Sequence, residues 1–127
     1  FLSMFEGSGP IPPATNLRTY DLGTLDGVGL AITDALALPD GRIILSTAAE
    51  DTTNAIDDGP VVGAALALVV VDIVTAVAPL TVSGGPQKVE GLALRSIGRH
   101  EAELLAVVDS DDQASPSLAL DITVTLP

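Results

Sequence analysis

Lys88–Asp112 reads KVEGLALRSIGRHEAELLAVVDSDD. An acid, Glu90, heads one apolar run, Val89–Leu94. A polar tip, Arg99-His100-Glu101, follows. A second apolar run, Leu104–Val108, ends in an acid cluster, Asp109-Ser110-Asp111-Asp112. Short apolar runs rich in β-branched residues and broken by turn signals predict strands, and two of them around a polar tip predict a hairpin. The stretch is therefore read as two antiparallel strands with acids at one rim.

The same order of features occurs earlier in the chain. Thr33-Asp34-Ala35-Leu36-Ala37-Leu38 matches Val89-Glu90-Gly91-Leu92-Ala93-Leu94: an acid, a small residue, then Leu-Ala-Leu. Ile43–Asp51 (IILSTAAED) matches Leu104–Asp112, an apolar strand closed by acids. Ala65-Leu66-Ala67-Leu68 matches Ser117-Leu118-Ala119-Leu120. A repeat of roughly 40–50 residues made of short strands marks the blade of a β-propeller. Its innermost strand lines a central channel, where small residues suit the crowding near the axis.

Further strands are predicted at Asn16–Leu22, Leu30–Leu38, Arg42–Ala48, Val62–Val71, Thr75–Val82 and Leu118–Leu126. Pro39-Asp40-Gly41 closes a hairpin, because Pro presets φ and Gly accepts a positive φ. A long acidic loop, Glu50–Pro60, and a break at Ser83-Gly84-Gly85-Pro86 separate the others. Ala64–Val71 competes as a helix on the propensity of Ala and Leu. Its three consecutive valines and short length favour a buried strand. The expected fold is all-β, built of antiparallel blades of β-propeller type and incomplete in one chain. Residues 1–14, with Gly7–Pro13 (GSGPIPP), form an irregular lead-in. Residues 15–127 hold about two blades, repeating near 33–82 and 89–126. A propeller needs about four blades or more. The chain is thus expected to be part of a longer one, to form a homo-oligomeric ring, or to close as a sandwich. That it begins at Phe1 rather than Met fits a processed or partial product.

Composition narrows the function. The 127 residues are 47% hydrophobic, with two Phe, one Tyr and no Trp, so the core must consist of closely approaching sheets with small side chains. Seventeen acids against five bases give a net charge of −12. Nucleic-acid binding needs clustered Lys and Arg, so nucleic acid is excluded as a partner. The same charge argues against an anionic membrane surface. Val61–Val71 is too short to span a bilayer and is closed by Asp72, so a soluble chain is expected. With no Cys, disulfides, thiolate zinc sites and thiol nucleophiles are ruled out, and the compartment stays open.

An acidic surface keeps an apolar protein soluble, and it also permits hard cations, which take carboxylate oxygens. In a hairpin the head of one strand lies beside the tail of the next. Asp34 is then expected near Glu50, and Glu90 near Asp109. These four acids are the candidate metal ligands, for Ca²⁺ or another divalent cation. Backbone N–H groups in the loops are their alternative partners. Asp109–Asp112 lacks the Gly and closing Glu of an EF-hand loop. His100, the single His, sits in a polar tip, where a solvated side chain is expected rather than a catalytic base. There is no Gly-x-Ser-x-Gly elbow and no phosphate loop; Asp57-Asp58-Gly59 is read as a turn.

The run Lys88–Leu94 followed by Leu104–Asp112 resembles the recurring "EGLAL … LLLVNDND" blade of the phytase-like, "esterase-like activity of phytase" group of β-propellers. Leu38-Pro39-Asp40-Gly41-Arg42 is similar to a hairpin common in such propellers. The likeness runs from about Asp21 to the C-terminus. Related gluconolactonase-like propellers also begin an inner strand with Glu-Gly, and there that Glu binds a divalent metal. The resemblance implies this role for Glu90. Two functions follow as expectations. One is a non-catalytic propeller module with cation-binding capacity. The other is a metal-dependent hydrolase of an ester, lactone or phosphoester once the propeller is completed. The first is favoured for this chain, because half a channel makes a poor active site.

Overall fold

The computed structural model describes residues 10–52, 59–82, 85–108 and 113–127. Among these residues the fold is all-β. Eight strands form two antiparallel sheets: β1 (Thr24–Leu25), β2 (Val28–Ala37), β3 (Ile43–Glu50), β4 (Val61–Val70), β5 (Ile73–Pro79), β6 (Val89–Ile97), β7 (Glu101–Val108) and β8 (Leu118–Thr125). The first sheet has the order β1-β2-β3-β4-β5 and the second β6-β7-β8, each strand beside its sequence neighbour.

Turn chemistry fixes the register. Leu38 N–H donates to the Arg42 carbonyl at 2.8 Å across Pro39-Asp40-Gly41, with Gly41 at φ 92°. Asp40 accepts from the Arg42 backbone N–H at 3.0 Å and pairs with its guanidinium. Two tighter turns use positive φ at both central residues, as two-residue hairpins require. They are Asp26-Gly27 between β1 and β2 and Val71-Asp72 between β4 and β5.

The first sheet curls strongly. Leu25 of β1 comes back over Gly63 of β4, and a Cβ on Gly63 would lie 2.7 Å from Leu25 Cδ1. A larger residue at Gly63 would push the Leu25 side chain aside. Burial on β3 and β4 is continuous because both of their faces are covered. One face packs on the second sheet through Ile44, Leu66 and Leu68 against Leu104, Ala102 and Leu126. Tyr20 and Leu22, in the segment before β1, lie over the other, against Leu45, Ala67 and Val69. Alanine and leucine contribute equally to the buried apolar set, as the scarcity of aromatics requires.

The predicted strand Asn16–Leu22 does not form. Asn16 adopts a left-handed φ of 57°, and Tyr20 and Leu22 cover the sheet without pairing to it. Ala64–Val70 is strand rather than helix. The repeat corresponds to two meanders, β2-β3-β4 and β6-β7-β8. Each first strand carries a bulge within one residue of its matched acid, between Ile32 and Asp34 and between Val89 and Gly91. No helix long and apolar enough to cross a membrane occurs among the described residues.

Candidate functional site

The rim where β2, β3 and β6 meet holds two of the four predicted acids, Glu50 and Glu90, while Asp34 lies further along β2, opposite Ser46 of β3. Glu50 ends β3 beside a bulge that also brings Asp51 N–H to the Pro60 carbonyl at 2.9 Å. Glu90 lies in the β6 bulge. Lys88, the only lysine, stands between them, with Nζ 2.8 Å from Glu50 and 3.4 Å from Glu90. Lys88 and Glu50 are about a quarter exposed and Glu90 38%, so solvent screens the Glu50 pair in part and the Glu90 pair more. The Glu50 carboxylate is the main reason the Lys88 ammonium is held above its ordinary pKa of 10.5; partial desolvation opposes it, and Glu90 adds to the rise.

Asp34 is placed differently. Leu92 pairs with Ala106 on one side, and its N–H points to the open edge of β6. The Asp34 carboxylate crosses from β2 and accepts that N–H at 2.6 Å. A backbone donor that would otherwise be stranded at a half-buried edge is thereby satisfied. Beside Asp34, Thr33 and Ser46 share a hydroxyl hydrogen bond of 2.8 Å between β2 and β3.

The expected pairings are thus partly rearranged. Glu50 meets Glu90 through Lys88, whereas Asp34 is committed to the backbone of Leu92. Asp109, the fourth predicted ligand, lies outside the described residues, as do Asp111 and Asp112. Among the described residues no three acid or His side chains gather as a cation-holding cluster. The ion pair edges an open cavity of about 490 Å³, whose floor is small: Gly29, Ala31, Thr33 and Ala48. His100 is at the opposite end of β6, about 25 Å along the strand from Glu90. It is exposed, and its carbonyl accepts the Leu126 N–H at 2.7 Å.

Sequence reasoning identified the acids but not the role of Lys88 among them. The signal was present: the one lysine of the chain stands two residues before the matched acid of β6.

Residues 1–113 match the model of DUF6910, a family of unknown function, and the chain belongs to that family. No curated protein and no solved structure matches it.

Proposed function

We propose that this DUF6910 chain is a non-catalytic module of β-propeller type, in which the rim acids join two blades. The observation that carries the reading is the use already made of those acids. Lys88 bridges Glu50 and Glu90 and offsets one of their two charges, and Asp34 is consumed by the Leu92 N–H. A divalent cation at Glu50 and Glu90 would have to displace the ammonium. It would therefore bind weakly, with water filling most of its coordination sphere.

The propeller part of the proposal is supported by the two face-to-face meanders, by the contact of their first strands β2 and β6, and by the matched bulges. A complete propeller of this kind needs further blades, from other copies of the chain or from additional sequence. The outer face of the second sheet carries apolar residues that such a neighbour would cover, among them Gly91, Ala93 and Leu105, with Val107 44% exposed, beside Glu101, Glu103 and Asp121.

The test is an activity screen of the purified chain against small esters, lactones and phosphomonoesters, with Ca²⁺ supplied and with the assembly state set by light scattering. The proposal expects no turnover above the solvent rate. Calcium-dependent turnover that disappears in Glu90→Gln would replace it with a metal-dependent hydrolase, in which a metal-bound water is the nucleophile.

A further inference from the structure

The two faces of the first sheet are covered by different means. The second sheet covers one of them with a layer of paired strands. Residues 16–22 cover the other with two side chains. Leu22, 5% exposed, and the half-buried Tyr20 rest on Leu45, Ala67 and Val69. The rest of the segment, Asn16 to Thr19 and Asp21, is exposed.

The backbone of this segment does not hold it down. Among the described residues, no backbone hydrogen bond joins 10–22 to either sheet. Backbone anchoring starts at Gly23, whose carbonyl accepts the Leu30 N–H at 3.0 Å and whose φ is 80°. Before Gly23, the polar tie to the sheet is an ion pair. Arg18 Nε lies 2.9 Å from Asp72 Oδ1 in the β4–β5 turn, and both side chains are about half exposed.

The sheet beneath does not depend on this cover for its ladders. β3 pairs with β2 and β4, and β4 pairs with β3 and β5, whether or not Tyr20 and Leu22 are in place. A segment with few buried contacts and no ladder opens at a lower free energy than the strands it covers. Its exposed ion pair is weakened by salt, whereas its apolar contacts are not.

We propose that residues 16–22 are a detachable strap. It swings about Gly23 as a unit while both sheets stay folded, and it uncovers the apolar face of Leu45, Ala67 and Val69. The Arg18–Asp72 pair makes the opening salt-dependent. The device thus places an apolar face of an acidic chain under ionic control.

Tyr20 is the single tyrosine, and the chain has no tryptophan, so intrinsic fluorescence reports the strap. The experiment follows this signal in a urea titration of the full chain, beside far-UV circular dichroism, which reports the sheets. The fluorescence midpoint is expected at lower urea than the dichroism midpoint. Coincident transitions, the mark of one cooperative unit, overturn the proposal.

Without urea, chymotrypsin cleavage after Tyr20 is followed by mass spectrometry, at an enzyme level where the rate tracks the open population. A peptide spanning the same residues corrects for the effect of salt on the protease. Asp72→Asn keeps the turn, because Asn tolerates the φ of 61°. It should speed cleavage about two- to fivefold. Raising NaCl from about 20 to about 500 mM should speed cleavage of the wild type by a similar factor and leave Asp72→Asn nearly unchanged. Leu22→Ala should speed it at least about tenfold and increase binding of an apolar dye, with the dichroism midpoint near that of the wild type. An equal salt response in the wild type and Asp72→Asn overturns the ionic control. A lowered dichroism midpoint in Leu22→Ala makes Leu22 part of the folding core and overturns the strap.

Discussion

The two sheets use nearly the same strand repeat for different ends. β3 of the first sheet is buried along its length, from Ile44 to Ala49, because the second sheet covers one face and the segment before β1 the other. β7, its counterpart, alternates strictly: Ala102, Leu104, Ala106 and Val108 are buried, and the residues between them are not. A strand with two covered faces has nowhere to put a charge. Its two polar core residues, Ser46 and Thr47, are both hydrogen-bonded, Thr47 to the Ala65 carbonyl at 2.9 Å. The second sheet spends every other residue on an open face, where Glu101, Glu103 and Asp121 carry charge. The same motif therefore makes an interior layer or a one-sided layer, according to what covers it.

The sharpest way to break this comparison is on β7 itself. Leu104 is 0% exposed in the core between the sheets, whereas Leu105 lies on the open face. Leu104→Ala should cost about 3 kcal/mol or more, and Leu105→Ala less than about 1 kcal/mol. Urea unfolding of both variants measures the difference. Equal costs would mean that the open face is covered in solution.

The next effect concerns the junction. Asp34→Ala leaves the Leu92 N–H without its acceptor and should destabilise by about 1–3 kcal/mol. Asp34→Asn keeps an acceptor oxygen there and should recover most of that loss in the same denaturation assay. If the two variants are equally unstable, the charge of Asp34 matters more than its hydrogen bond.

Lys88→Met removes the cation between Glu50 and Glu90 and should cost about 1–2 kcal/mol. It also predicts a pH signature. The folded-state pKa of Lys88 is raised, so its contribution is complete below 10.5 and is lost as pH rises through the folded value. The gap between wild type and Lys88→Met should narrow above pH 10.5 in thermal melts. Asp40 acts at the other end. The Arg42 side chain holds its pKa below the ordinary 3.8, so its contribution is present above that value and is lost as pH falls through the lowered one. Because Asp40 sits in an exposed turn, this effect should be small.

The smallest expected change is a gain. Val71 adopts φ 48° in the β4–β5 turn and is 86% exposed. A β-branched residue is strained there, and Asn suits the position better. Val71→Asn should raise stability by about 1 kcal/mol. The equivalent turn of β1–β2 already has Asp26-Gly27 and should gain nothing from the same change.

Several of these features were legible in the sequence for physical reasons. The Pro39-Asp40-Gly41 hairpin was readable because each residue has one conformational role. The pairing of β6 with β7 was readable because alternation on β7 has period two. The interior strands were harder: Ala64–Val70 is apolar on both faces, so periodicity alone leaves helix and strand equal. Asn16–Leu22 misled for the opposite reason. Its apolar residues cover a sheet, and covering needs no pairing. The Asp26-Gly27 turn carried a hairpin signal that reveals β1, two residues too short to show as an apolar run. At the rim, the acids were visible as types. Their partners were not, because Lys88 reaches Glu50 across a fold that brings residues 38 apart together, and Asp34 reaches Leu92 across 58.

The central claim is that the rim acids join the sheets and are not reserved for a metal. It is tested most directly by thermal unfolding of a size-fractionated sample with and without Ca²⁺, with Glu90→Gln alongside. The account predicts no rise in Tm for the wild type on adding Ca²⁺, and a lower Tm for Glu90→Gln in both conditions. A calcium-dependent rise in the wild type that Glu90→Gln abolishes would contradict it and establish a cation site at Glu90.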